Sequence, residues 1–140
     1  MESEESSRIS TALASRAGPD ASAACIAEAS SAIWRDIDAA LRPIIGALSV
    51  AALFKRSLHL TLAAHPCLAE AQGPIQRSLD VTQLAGVLAR QPDAGAVSTA
   101  LLLAFDQLLA SLIGPALTGR LLGPVWENSS GHSLPQDTSS

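Results

Sequence analysis

From Ala94 to Gly119 the chain carries a single charged side chain, Asp106. A stretch this apolar must leave water, so any fold the chain adopts has to enclose it. It is long enough to cross a membrane, but Asp106-Gln107 lies in its middle, where a carboxylate costs on the order of 3 kcal/mol to insert. Gly114-Pro115 then breaks the run. We read Ala94–Ile113 as the core helix of a globular protein and expect no membrane span.

The rest of the composition agrees with helices. Hydrophobic residues make up 48% of the 140 residues while aromatics are only 3%, so the apolar content is mainly alanine and leucine. Both lose little conformational freedom in a helix. No useful segment alternates with the period of two that a half-buried strand needs. The expected class is all-α.

Glycine, proline and capping residues divide the chain. Residues 1–19 read as a mobile leader in which Ile9–Arg16 forms at most a frayed helix. Asp20 is placed to cap a helix over 21–41, with Ile26, Ser30, Ile33, Trp34, Ile37, Ala40 and Leu41 inward and Glu28, Arg35 and Arg42 outward. Pro43 should stop it. Ser49 is placed to cap a second helix that ends before Pro66. After a connection over 67–78, Asp80-Val-Thr-Gln83 resembles a capping box and opens a short helix, 81–90. Asp93 should cap the long helix, 94–113, and a short helix is expected over 116–122. Residues 127–140 have almost nothing to bury and read as a disordered tail, which leaves one domain over 20–126. No internal repeat stands out. Helices with one apolar stripe each can bury those stripes only against one another, and the simplest arrangement is an antiparallel four-helix bundle with an additional short C-terminal helix.

Helix 94–113 has two stripes. Val97, Leu101, Ala104, Phe105, Leu108 and Leu112 form one; Leu102, Asp106, Leu109 and Ile113 form the other. The second stripe has two readings: a homodimer interface, or the inside of a central helix.

Chemistry is concentrated on the helix after Ser49. Its stripe is Val50, Leu53, Phe54, Ser57, Leu60, Thr61 and Ala64, and at about 100° per residue His59 falls opposite, one turn after Lys55 and beside Arg56. An exposed imidazole flanked by cations can accept a phosphoryl group. A helix-borne exposed histidine in a helical bundle resembles a histidine phosphotransfer domain, although that family reads His-x-x-Lys-Gly where this chain has His59-Leu-Thr-Leu62-Ala63. That resemblance implies His59 as phosphoacceptor with Lys55 and Arg56 as its electrostatic support. A further resemblance covers Val50–Leu60 with His65-Pro66 and Leu108–Trp126. It is to a family of small uncharacterised proteobacterial all-α proteins that accompany sensor kinases and response regulators, and it implies a protein partner in two-component signalling.

Other chemistry is sparse. The net charge is −4, with no basic patch interleaved with aromatics, which argues against nucleic acid. Cys25 and Cys67 lack metal-site spacing and make no disulfide framework. Asp36 and Asp38 project in different directions, so they are not a catalytic carboxylate pair. Met-Glu-Ser-Glu-Glu at the N-terminus is no secretory signal. The expectation is a cytoplasmic adaptor that acts by binding a protein, with no catalytic residue, cofactor or metal; phosphotransfer through His59 is the alternative.

Overall fold

The computed structural model describes residues 4–18, 22–71 and 81–130. Among the described residues there are six α-helices: α1 (Glu4–Ala17), α2 (Ala23–Ile45), α3 (Ala47–Thr61), α4 (Thr82–Leu88), α5 (Ala94–Ile113) and α6 (Pro115–Ser130), with a 3-10 segment over Pro66–Ala71 between α3 and α4. The described residues contain no strand. The all-α expectation is met.

The apolar run forms α5, with the bounds expected for it, and α5 touches every other α-helix. Its Leu101, Leu102, Phe105 and Leu109 are fully buried. On α2, Trp34 lies edge-to-face against Phe54 of α3 and Phe105 of α5, at 4.9 and 5.0 Å between ring centroids. Such pairs add roughly 0.5–1.5 kcal/mol each beyond the area they bury. These three rings join the three helices at the centre of the core. Ser98 donates a buried hydrogen bond of 2.8 Å to Ser30, where small side chains let α2 and α5 approach closely.

These contacts also set direction. Ser30 meets Ser98 and Trp34 meets Phe105, so α2 and α5 run parallel. Each ends at a glycine in the left-handed half of backbone space: Gly46 at φ 90°, ψ 152° and Gly114 at φ 94°, ψ 150°. Only glycine adopts such a φ without strain. In both corners its N–H closes the helix on the residue four before it, Arg42 and Ala110. The chain then reverses directly into α3 and α6, placing both corners at one end of the molecule.

Here the structure reveals a repeat that the sequence reading did not find. Ser30 and Ser98 are 68 positions apart, and the same register maps Gly46 onto Gly114. It pairs buried positions with buried positions along both hairpins: Ile33 with Leu101, Trp34 with Leu102, Ile37 with Phe105, Leu41 with Leu109, Val50 with Thr118, Phe54 with Leu122, Leu58 with Trp126. Contacts follow the same rule. α3 packs on α5 as α6 packs on α2, and α1 packs on α5 as α4 packs on α2. The hairpins α2–α3 and α5–α6 are related by an approximate two-fold axis that passes between Ser30 and Ser98, whereas α1 and α4 lie outside the register. The symmetry breaks where the 3-10 segment lies between α3 and α4, whereas α1 packs directly on α6.

Several boundaries differ from expectation. Residues 4–17 of the supposed mobile leader form α1, which packs on α2, α5 and α6 with Ile9, Ala12 and Leu13 buried. Their i, i+3, i+4 spacing is a short apolar stripe, and Arg16 ties α1 to Asp36. Pro43 does not end α2, because it removes only the bond to the Ala39 carbonyl on the exposed side; Gly46 ends it. The N-cap of α2 is Ser22, whose hydroxyl accepts from the Cys25 N–H. Ser49 lies inside α3, and Asp93 makes no side-chain cap bond. Asp20, Asp80 and residues 131–140 lie outside the described residues. The C-terminal helix is longer than expected: α6 reaches Ser130 and buries Leu122, Val125 and Trp126.

Candidate functional site

His59 sits in the last turn of α3, exposed, with Lys55 and Arg56 exposed one turn earlier. The helix holds it outward because the opposite side is anchored by Val50, Phe54, Ser57, Leu58 and Thr61. Ser57 and Thr61 satisfy their hydroxyls by donating to the carbonyls of Leu53 and Ser57, at 2.8 and 2.7 Å, so two polar side chains sit on the buried face without an orphan donor. Leu60 and Ala64, expected inward, are exposed, while Ala51 and Leu58 are buried in their place; the buried stripe is rotated toward α5. α3 ends at Thr61, so Leu62 and Ala63 lie in a turn and not on the helical face that carries His59.

The stripe considered as an interface is interior. Leu102 and Leu109 are 0% exposed, Asp106 is buried, and Ile113 packs partly buried against the core. Side chains already covered by α1, α2, α3 and α6 are not available to a second copy, so the homodimer reading of Leu102, Asp106, Leu109 and Ile113 is corrected to the central-helix reading. By length and composition α5 is apolar enough to cross a membrane. In the fold Val97, Leu101, Leu102, Phe105 and Leu109 lie inside, whereas Leu103, Leu108 and Ile113 are half-buried and Leu112 is exposed.

Asp36 and Asp38 point apart, as expected. Asp36 pairs with Arg16 of α1, and Asp38 accepts from Arg42 one turn on, at 2.6 Å. A groove of about 620 Å³ runs between α2 and α6 beside Asp36. Ala39, Ala40, Leu121, Pro124 and Val125 give it an apolar lining, and Asp36, Arg120 and Glu127 bring charges of both signs to it. Sequence reasoning missed this groove, because its two walls are distant in sequence and only the pairing of α2 with α6 brings them together. Small Ala39 and Ala40 opposite Pro124 were the one available signal.

Cys25 and Cys67 are free thiols, both half-buried. Burial and the nearby carboxylate of Asp93 push the Cys67 thiol above its ordinary range, with a smaller contribution from Glu70; a backbone hydrogen bond partly offsets the rise. It is therefore held as the thiol, the less nucleophilic form. No group of three or more metal-ligating side chains occurs among the described residues.

A second feature is apolar. Among the described residues most large hydrophobic side chains are interior, but Ile44 (55% exposed), Leu48 (63%), Leu60 (47%), Leu112 (63%) and Leu117 (39%) are not, and all of these but Leu60 flank the two glycine corners. The segments Ile44-Ile-Gly-Ala-Leu48 and Leu112-Ile-Gly-Pro-Ala-Leu117 are similar enough that a search for a repeated corner would have found them.

No family model, curated protein or solved structure matches this chain.

Proposed function

We propose that this protein is a small cytoplasmic interaction protein of bacterial signal transduction, acting by protein binding, with a sensor kinase or response regulator as its partner. The observation that carries the reading is the α2–α6 groove. It is a shallow, open depression whose lining is more apolar than polar, and it offers both acidic and basic side chains, which is how protein contacts combine apolar burial with orientation. The resemblance of Val50–Leu60 and Leu108–Trp126 to proteins that accompany sensor kinases supplies the signalling context. In this reading α2, α3, α5 and α6 act as an antiparallel four-helix bundle, with α1 and α4 as additional covering helices.

The test is site-specific photo-crosslinking in cells. A photoreactive residue at Ala39, on the groove wall, should give a discrete adduct containing a kinase or receiver protein. The same residue at exposed Glu28, toward the far end of α2, should not. Identical adducts from both positions, or none from Ala39, would refute the reading.

A second reading is favoured by one observation: His59 is exposed, with Lys55 and Arg56 on the same side of α3. In phosphotransfer, an imidazole nitrogen lone pair would attack the phosphorus of a receiver's phosphoaspartate, the P–O bond to that aspartate would break, and its carboxylate would leave. Lys55 and Arg56 would offset the phosphoryl charge. Incubation with a phosphorylated receiver should yield an acid-labile, base-stable label that disappears in His59→Gln. Label that survives this substitution, or none with any cognate donor, removes the reading.

A further inference from the structure

We propose that the end of the molecule formed by the two glycine corners docks onto an anionic lipid surface, as a peripheral contact beyond the protein-binding role. The argument rests on how charge is laid out from the corners. No charged residue occurs between Arg42 and Lys55 or between Asp106 and Arg120, the two segments that contain Gly46 and Gly114. Ile44, Leu48, Leu112 and Leu117 project from this uncharged end, each between 39 and 63% exposed. At about 1.5 Å per residue, the first exposed charges met on descending α2, α3 and α6 lie roughly 6–15 Å below the corners. They are Arg42, which is paired with Asp38, and Lys55, Arg56 and Arg120, all basic.

Among the described residues, the acidic side chains at comparable depth are ion-paired or buried. Asp36, its side chain 39% exposed, is paired with Arg16, Asp38 is partly buried and paired with Arg42, and Asp106 is buried. Among the described residues, the other exposed carboxylates lie farther from the corners: Glu28 early in α2, Glu70 in the 3-10 segment, Asp93 before α5 and Glu127 late in α6. The overall charge of −4 therefore conceals an apolar tip with a basic collar.

That combination matches a lipid surface in depth and in sign. The four side chains can enter the acyl boundary while the cations reach back to headgroup phosphates. An apolar insertion together with a basic cluster provides the two signals that stable peripheral attachment needs. A second copy fits less well. Two such ends would bring basic collars face to face, and four partly exposed side chains supply only part of the roughly 800 Å² per partner that a stable interface buries.

The experiment is flotation of the full chain with vesicles of phosphatidylcholine alone or mixed with phosphatidylserine. Binding should require phosphatidylserine and weaken several-fold as salt rises from about 0.1 to 1 M, where the screening length falls from about 10 to 3 Å. Leu48→Glu/Leu112→Glu should lower partition about tenfold or more, and Lys55→Gln/Arg120→Gln about tenfold. Both variants should keep the wild-type circular dichroism, because all four positions are exposed. The proposal is overturned by absence of vesicle binding, by equal binding to both lipid mixtures, or by full binding of the well-folded Leu48/Leu112 variant. Loss of a purified protein partner from that variant without any vesicle binding would assign the tip to protein instead.

Discussion

Replacing Leu109 by alanine separates the interior reading of α5 from the interface reading by magnitude. Leu109 is 0% exposed, covered within one chain, and so is its counterpart Leu41 on α2. Removing a buried leucine side chain costs about 2–5 kcal/mol, the transfer term plus the cavity left behind. A domain of this size has about 5–15 kcal/mol of stability in total. With a urea slope of about 2 kcal/mol/M, the middle of the usual range, Leu109→Ala should lower the unfolding midpoint by about 1–2.5 M. Leu41→Ala should fall in the same range. Leu112→Ala, one turn nearer the corner but 63% exposed, should stay within about 0.5 kcal/mol of wild type. Urea titration followed by far-UV circular dichroism gives the three midpoints, and sedimentation velocity gives the association state. If Leu109→Ala left the midpoint unchanged but altered sedimentation, Leu109 would be a surface residue and the packing described for α5 would be wrong.

Ile9→Asp should destabilise by about 3 kcal/mol or more, since it places an unpaired carboxylate in the fully buried site of α1; a melting temperature within a degree or two of wild type would restore the mobile-leader reading. The Ser30–Ser98 bond should show a coupling of about 0.5–1.5 kcal/mol in a double-mutant cycle to alanine, and strict additivity would remove it as a contact across the axis. Cys67 should react with a thiol reagent more slowly in the folded protein than in urea at the same mildly alkaline pH, because burial holds the proton on. The sign follows for stability: a folded-state pKa above the unfolded value contributes stability at low pH that is lost as pH rises from the unfolded thiol range through the folded one. Cys67→Ser should flatten that alkaline decline, and an unchanged slope would place its cause elsewhere.

The helical class was legible because it follows from composition and period, which act locally. The inward faces of α2 and most of α3 were legible for the same reason: Ile26, Ile33, Trp34 and Ile37 recur at helical spacing, and Asp36 and Asp38 had to diverge. α1 was not, since its stripe is only Ile9, Ala12 and Leu13 within a polar, acidic segment, and its stability comes from packing on α2, α5 and α6. The second stripe of α5 was ambiguous in principle. A period shows which residues need cover, and only tertiary packing shows that the cover comes from the same chain. His59 was placed correctly on the wet side, whereas the groove between α2 and α6 has no local signature.

The repeat was illegible because the two hairpin units agree mainly in the kind of residue they bury. In the 68-residue register the identities are few: Ser30/Ser98, Ala32/Ala100, Asp38/Asp106, Leu41/Leu109, Ile45/Ile113, Gly46/Gly114 and Leu53/Leu121. Most fall where the axis or the corner leaves little freedom. A serine pair meeting across the axis needs the same small polar residue on each side, and a left-handed corner needs glycine on each side. Outward positions are under no such constraint, and there the halves diverge. Lys55, Arg56 and His59 on α3 correspond to Gly123, Pro124 and Glu127 on α6, so a cationic face in one unit corresponds to a groove wall in the other. The same core can thus present two unlike surfaces. In a pseudo-symmetric chain, distinct function has to come from the positions where the units differ, while the twin corners, apolar in both units, act together.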